Sequence, residues 1–228
     1  MTALRRISPL FLAWAAVFVA PAAEVHMQIT KDAKLLGYAT LGQHINAEGG
    51  KTVEMRMEVN RNSGAPLKLH QLSIYDSTGH PQRMVLEIVG SERTETIAAF
   101  DGAGARVSKM VHGLAKNSRV NRAANAPWGD ASEFWFLRDH PKKGDHFMTL
   151  HFSMDRLDWE LTEITYLGMR EVTVGSKKVQ ANAVQSDTEG RFSTAYLDEV
   201  GNPIRLETDG GVTMAVIASG AKKSGPNG

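Results

Sequence analysis

The chain contains one turn pattern twice. Asp76–Met84 reads Asp-Ser-Thr-Gly-His-Pro-Gln-Arg-Met, and Asp198–Leu206 reads Asp-Glu-Val-Gly-Asn-Pro-Ile-Arg-Leu, so both stretches follow Asp-x-x-Gly-x-Pro-x-Arg-apolar. Aspartate can accept hydrogen bonds from its own turn, glycine supplies a positive φ, and proline is tolerated at the start of a strand but not in its middle. Each stretch, hereafter a corner, therefore predicts a strand, a tight turn and a second strand.

Alternating apolar and polar residues surround both corners. The clearest run is 53–59, where Val, Met, Met and Val alternate with Glu, Arg and Glu, and similar runs occupy 84–88 and 148–152. A period of two is typical of a strand with one buried face. Turn signals at 101–104 and 175–178 indicate hairpins. We count ten or eleven short strands and predict an all-β fold with minor α content, in which one strongly curved antiparallel sheet forms a half-barrel.

One strand breaks the alternation. Apolar residues stand at Leu67 and Leu69 and then at Leu72 and Ile74, which shifts the apolar phase by one residue. One extra residue in a strand turns all later side chains to the other face. The pattern therefore predicts a β-bulge near residues 70–71.

Composition is that of a soluble globular protein. The 228 residues are 42% hydrophobic and 22% charged, with a net charge of +1 and no cysteine. A length of about 200 to 250 residues is common for a single all-β domain, so we expect one domain at 24–219 and a flexible tail at 220–228. The near-neutral charge gives no reason to expect a nucleic-acid partner. The missing cysteine excludes disulfides, thiolate metal sites and cysteine nucleophiles.

The N-terminus predicts export. Arg5 and Arg6 precede an apolar stretch at 7–20, which is followed by small residues that allow cleavage after Ala22 or Ala23. This is the three-part layout of a secretory signal peptide, and the apolar stretch is short for a membrane span of about 20 residues. We therefore assign residues 1–23 to a signal peptide and expect a periplasmic or secreted protein; an uncleaved anchor is the alternative.

Residues 113–145 lack the strand pattern. They combine a basic loop, an aromatic group and a polar loop. Residues 130–137 predict one or two helical turns, because Asp130 can cap a helix that has Glu133 three residues further on. Such a segment could cover the concave face of the sheet as a short lid. Four aromatic side chains there are our candidate ligand- or partner-binding residues: Trp128, Phe134, Trp135 and Phe136.

Other candidate sites have weaker support. The eight histidines form no His-x-His or His-Glu-x-x-His pattern, so we predict no metal and no cofactor. No Gly-x-Ser-x-Gly nucleophile motif is present, and we expect no enzyme. The carboxylates Asp155, Asp158, Glu160 and Glu163 are interpreted as a solvated rim.

Several motifs together resemble a known group of domains. They are the Gly-Tyr strand at 37–38, the Tyr-Asp-x-x-Gly-x-Pro corner at 75–81, the Pro-Lys-Lys-Gly-Asp turn at 141–145 and the closing Leu-Asp-x-x-Gly-x-Pro-x-Arg strand at 197–205. Over about residues 35–218 the chain resembles the exported β domains related to the lipoprotein carriers LolA and LolB. It is also similar to uncharacterised periplasmic domains and to sheet domains that precede bacterial transglutaminase-like domains.

The resemblance implies a half-barrel of about eleven strands with helices on its concave side, where the carriers hold acyl chains. The chain lacks the cysteine of a transglutaminase and of a lipobox. We therefore expect an exported soluble carrier for a lipid or lipoprotein tail, with peripheral membrane contact as a further expectation. The alternative is an interaction module for a protein partner in the envelope, without a small ligand.

Overall fold

The computed structural model describes residues 24–61, 64–126, 128, 140–199 and 201–217. These residues form fourteen strands and no helix: β1 Val25–Lys31, β2 Lys34–Ile45, β3 Lys51–Val59, β4 Leu67–Tyr75, β5 Pro81–Val89, β6 Arg93–Asp101, β7 Gly104–Val111, β8 Leu114–Asn121, β9 His146–Ser153, β10 Asp158–Val174, β11 Lys177–Thr188, β12 Arg191–Leu197, β13 Pro203–Thr208 and β14 Val212–Val216. The signal-peptide segment, the predicted helical lid at 130–137 and the tail at 220–228 lie outside the described residues.

All fourteen strands belong to one antiparallel sheet. Its order is β8-β7-β6-β5-β4-β3-β2-β1-β14-β13-β12-β11-β10-β9, so β1 and β14 pair in the middle while β8 and β9 are the two edges. The sheet is not closed, because no ladder joins β8 to β9 among the described residues. The all-β fold and the single curved sheet are confirmed.

The number of strands differs from the ten or eleven predicted. β1 was not predicted, and β8 lies in a segment that had been interpreted as a basic loop. β8 carries little apolar alternation because almost all of its residues are exposed on both faces. In addition, residues 158–174 form one long strand, whose register shifts between Tyr166 and Gly168.

The two corners fold as predicted and alike. Each is closed by a backbone hydrogen bond from the aspartate N–H, which reaches the carbonyl of His80 from Asp76 and that of Asn202 from Asp198, both at 2.9 Å. The aspartate side chains accept further backbone hydrogen bonds from the same two positions, at 3.0 Å and 2.7 Å. The corner glycines have φ of 86° and 90°, a region that favours glycine.

The bulge predicted near residues 70–71 is wrong. β4 pairs with β3 and β5 without a register shift there, and its only shift falls between Ile74 and Tyr75. Gln71 and Ser73 are each 1% exposed and continue the buried phase that Leu69 begins. The apolar alternation along β4 therefore shifts because the polar residues Gln71 and Ser73 occupy core positions, and not because the strand has a bulge there.

The ends of the sheet overlap. In β9 the consecutive residues Thr149 and Leu150 are both buried, which requires cover on both faces because neighbouring side chains point to opposite sides. Phe100 of β6 supplies part of that cover, with its ring centroid 5.3 Å from that of Phe152 and 5.8 Å from that of Trp159. The register places Phe100 on the concave, core-facing side of β6 and places Phe152 and Trp159 on the convex side of β9 and β10. The half-barrel therefore curls until one end lies inside the other.

Candidate functional site

Trp128 is the predicted site residue that the structure describes. It makes a parallel bridge to Leu150 on the edge strand β9. The His80 ring stacks on its indole, with centroids 4.7 Å apart and planes inclined by 20°. The Arg122 guanidinium carbon lies 4.5 Å from the ring centroid, within the range of a cation–π interaction. Trp128 therefore sits between the end of β8 and β9, where the sheet is open. Phe134, Trp135 and Phe136 lie outside the described residues.

Arg122 holds this segment in place. Its guanidinium donates hydrogen bonds to the carbonyl oxygens of Gly102 at 3.0 Å, Ala126 at 3.1 Å and Ala123 at 3.2 Å. These bonds join the chain that leaves β8 to the turn between β6 and β7. The position of Trp128 is thus set by backbone contacts as well as by ring contacts.

Trp128 is continuous with three further rings. Its centroid lies 5.8 Å from that of Trp159 at an interplanar angle of 84°, and Trp159 contacts Phe152 edge-on at 5.3 Å. With Phe100, these rings form what we call the aromatic cluster, which comprises Phe100, Trp128, Phe152 and Trp159. Edge-to-face contacts of this kind stabilise the folded state by more than the burial of their apolar area alone would. The indole Nε1–H of Trp159 is buried and has no hydrogen-bond acceptor in the described structure.

Sequence reasoning missed most of this cluster. Of the four rings, only Trp128 was among the candidate binding residues. Phe152 and Trp159 pair directly across the β9–β10 hairpin, but the other ring contacts join residues that lie 31 to 59 positions apart, so no local spacing indicates that they meet. The overlap of the sheet ends brings them together.

The concave face is apolar and rich in methionine. The buried side chains there include five methionines from β1, β3, β5 and β14: Met27, Met55, Met57, Met84 and Met214. Gln43 shares this face and is 5% exposed, yet neither its amide nitrogen nor its amide oxygen has a hydrogen-bond partner in the described structure. A buried amide without partners is costly, so this position is a candidate contact for a polar group inside the barrel.

Glu160 forms a second polar centre on the concave face. Its side chain is 3% exposed and lies 2.8 Å from Arg191, 2.9 Å from Arg156 and 3.4 Å from His151. Burial by itself would raise the pKa of this carboxyl, but the His151 hydrogen bond and the Arg191 charge outweigh it and lower the pKa from 4.5 to about 2. The interpretation of Glu160 as part of a solvated rim is wrong. Its spacing of two and four residues from the buried Thr162 and Ile164 could have indicated burial.

The Glu160 centre has a hydroxyl, an imidazole and a carboxylate in series. His151 Nδ1 lies 2.9 Å from Thr162 Oγ1, and His151 Nε2 lies 3.4 Å from the Glu160 carboxylate. Nucleophilic enzymes use this order of groups. Thr162, however, is 4% exposed and its hydroxyl also contacts that of Thr188 at 2.7 Å. A substrate cannot reach the Thr162 hydroxyl in this conformation. The geometry therefore favours a structural role, in which these contacts hold the ends of β9–β12 together.

An open groove lies on the convex face of β2 and β3. It has a volume of about 260 Å³, and Gly42 contributes no side chain to it. Glu54 borders the groove and accepts hydrogen bonds from His70 at 2.6 Å and Arg56 at 2.7 Å. The Glu54 carboxylate therefore already has hydrogen-bond donors in Arg56 and His70. No group of three or more potential metal ligands occurs within the described residues, and none of the described segments is a helix able to span a membrane.

Comparison with known proteins shows the fold. No family model matches the chain, and no curated protein is significantly similar to it. The chain is similar in structure to a β-barrel-like protein of a domain of unknown function, DUF1849, from Brucella abortus, known from a crystal structure. The TM-score is 0.60 at 12% sequence identity, over 88% of this chain and 97% of that one. This likeness supports a β-barrel-like domain, and the relationship to the LolA and LolB carriers remains a prediction.

Proposed function

We propose that this protein is an exported binding domain that carries an apolar ligand, a lipid or a lipoprotein tail, on the concave face of its sheet. The observation that carries the proposal is the aromatic cluster at the open edge between β8 and β9. Trp128 is partly exposed there, and the buried Trp159 Nε1–H has no acceptor among the described residues. Amphipathic rings beside an opening, with one unused donor, suit a ligand that has an apolar body and a polar group.

The methionine-rich concave face supports the same proposal. Met27 and Met214 are fully buried, so the side chains of this face pack against one another and a ligand must displace some of them. Methionine is unbranched and adapts to irregular shapes, and for that reason it is common on surfaces that repack around ligands. The unpartnered Gln43 amide offers a polar contact within the same face.

Native mass spectrometry of the protein purified from its own cell envelope tests the proposal. We expect a bound lipid-sized mass, and we expect delipidated protein to gain melting temperature when single-chain lipids are added, because a ligand that binds only the folded state stabilises it. Trp159→Phe keeps the ring packing and removes the indole donor, so it should weaken binding while leaving the fold intact. Protein that is uniformly empty and gains no stability from any lipid would contradict the proposal.

The edge strand β8 favours a second candidate function, an interaction module for an envelope protein. β8 has an unpaired edge in the described sheet, and most of its eight residues are exposed. Such an edge can accept a strand from a partner. A proline at Asn117, whose N–H faces the open edge because the hydrogen-bonded pairs of this hairpin include Val107–Ser118 and Lys109–Lys116, would block strand addition but leave lipid binding unchanged. Loss of partner capture by Asn117→Pro, with lipid binding retained, would favour this candidate.

A further inference from the structure

Towards the β7–β8 turn, the concave face of these two strands is more exposed than the rest of that face. Val107 is 3% exposed, but Lys109, two residues further along the same face, is half-buried, and Leu114 is 78% exposed. The register places Lys116 directly opposite Lys109. Two lysine side chains therefore leave neighbouring strands side by side where the buried core ends.

Among the described residues, the two lysines have no acidic neighbour on their face of β6–β8. Neither forms an ion pair with any described acidic residue. Across the pairing with β6, Lys109 meets Thr96. The nearby acidic residues point elsewhere, because Glu95 lies opposite Met110 on the convex face and Asp101 is bound to Arg119. Like charges directly opposite each other in a sheet are destabilising, so an anion placed between them would relieve this repulsion.

An apolar row borders the lysine pair. One register step away, the concave face carries Ile88, Thr94, Val111 and Leu114 across β5–β8. Three of these four side chains are aliphatic, and Leu114 is almost fully open to solvent. The exposed part of the concave face thus places two cations beside an apolar strip, the arrangement that an anionic amphiphile requires.

We propose that Lys109 and Lys116 bind the phosphomonoester head group of a single-chain lipid whose acyl chain lies on this apolar strip. The inference rests on the proposed function and names its ligand class. A phosphomonoester carries a charge of about −1.5 to −2 near neutral pH, which matches two ammonium groups, whereas a fatty-acid carboxylate carries only one. Lysine binds phosphate as a point charge, while planar carboxylates are better matched by arginine.

Titration with three lipids below their micelle-forming concentrations, followed by tryptophan fluorescence, tests the inference. The lipids are lysophosphatidic acid, lysophosphatidylcholine of the same chain length, and the matching fatty acid. We expect lysophosphatidic acid to bind most tightly. The double variant Lys109→Gln/Lys116→Gln should lose about tenfold or more in affinity for it, because each cation near a lipid head group contributes about a factor of five, while lysophosphatidylcholine binding stays unchanged.

The convex face of the same sheet region offers a matched control. Arg83 and Arg106 are exposed and both lie opposite Ala99, so Arg83→Gln/Arg106→Gln removes two charges from the other face of the sheet. This control should keep wild-type affinity for lysophosphatidic acid. An equal loss in both double variants would overturn the inference, since it would report net charge alone.

Two outcomes separate this inference from the proposed function. Binding of all three lipids with similar affinity, unaffected by the lysine substitutions, overturns the head-group assignment and leaves the carrier function standing. Binding of none of the three by delipidated wild-type protein that unfolds cooperatively overturns both. Melting temperatures of the variants within a few degrees of wild type exclude misfolding as the cause of any loss.

Discussion

The imidazole of His80 stacks on the indole of Trp128, with ring centroids 4.7 Å apart. His80 belongs to the first corner, between β4 and β5, whereas Trp128 follows β8 and bridges to β9. The contact therefore connects one of the two repeated corners to the segment after β8, which has no counterpart elsewhere in the chain. In the second corner the equivalent position is Asn202, whose amide binds Asp198 instead.

The variant His80→Asn tests this difference between the corners. Asparagine at the equivalent position of the second corner keeps that turn closed, so the turn should survive while the stacking is lost. We expect the free energy of unfolding to fall by about 0.5 to 1.5 kcal/mol and the tryptophan emission to shift to the red as Trp128 becomes more exposed. Denaturant unfolding and fluorescence spectra measure both. An unchanged spectrum would mean that the ring contact does not persist in solution.

Removal of the Glu160 carboxylate should destabilise the fold in a pH-dependent way. Because the pKa of Glu160 is lowered on folding, from 4.5 to about 2, its ionised form stabilises the folded state above about pH 4.5, and that contribution disappears as the pH falls towards 2. Glu160→Gln should lower the free energy of unfolding by about 3 kcal/mol at pH 7, and by progressively less in acid.

Glu163→Gln provides the control for Glu160. Glu163 lies on the same strand with its side chain 42% exposed and 3.7 Å from His146, and exposed pairs contribute about 0 to 1 kcal/mol. Chemical denaturation between pH 7 and pH 3 measures how much unfolding free energy each of the two variants loses. Equal effects, or a Glu160→Gln deficit that does not shrink in acid, would contradict the role assigned to the buried carboxylate.

Two glycines in β2 should respond oppositely to alanine. A Cβ at Gly37 would lie 1.9 Å from the backbone oxygen of Glu58, whereas a Cβ at Gly42 would meet nothing within 4 Å. Gly37→Ala must push β3 away and should cost several kcal/mol or prevent folding. Gly42→Ala should be neutral or stabilise by up to about 1 kcal/mol, because it reduces the freedom of the unfolded chain. Thermal unfolding of the two variants measures the difference. Similar losses of stability in Gly37→Ala and Gly42→Ala would refute the close approach of β3 to Gly37.

Replacement of Gln43 by methionine should stabilise the ligand-free protein. Both polar atoms of this buried amide lack partners in the described structure, and methionine has a similar length without the desolvation cost. We expect the free energy of unfolding to rise by about 1 to 2 kcal/mol. If Gln43 contacts the ligand, the same variant should bind it more weakly. A loss of stability in ligand-free protein would show that the amide has a partner, such as an internal water.

Much of the fold was predictable because it depends on local chemistry. The two corners, the period-two runs at 53–59 and 84–88 and the glycine-containing turns indicated an antiparallel sheet. β8 was not predictable in this way, since a strand that is exposed on both faces needs no apolar alternation. Gln71 and Ser73 led to a wrong prediction. Because these polar residues occupy core positions, the apolar alternation shifts as it would at a β-bulge, although β4 has no bulge there.

The sequence by itself determined most of the strands, their turns and the curved all-β architecture, since turn residues and side-chain alternation act over a few positions. The tertiary structure alone decided how far the sheet curls. That curl brings Phe100 to Phe152 and Trp159, buries Glu160 among His151, Arg156 and Arg191, and leaves the half-buried Lys109 and the exposed Lys116 beyond the buried core. Contacts between strands far apart in the chain depend on the accumulated twist and register of the whole sheet, and no local pattern records them.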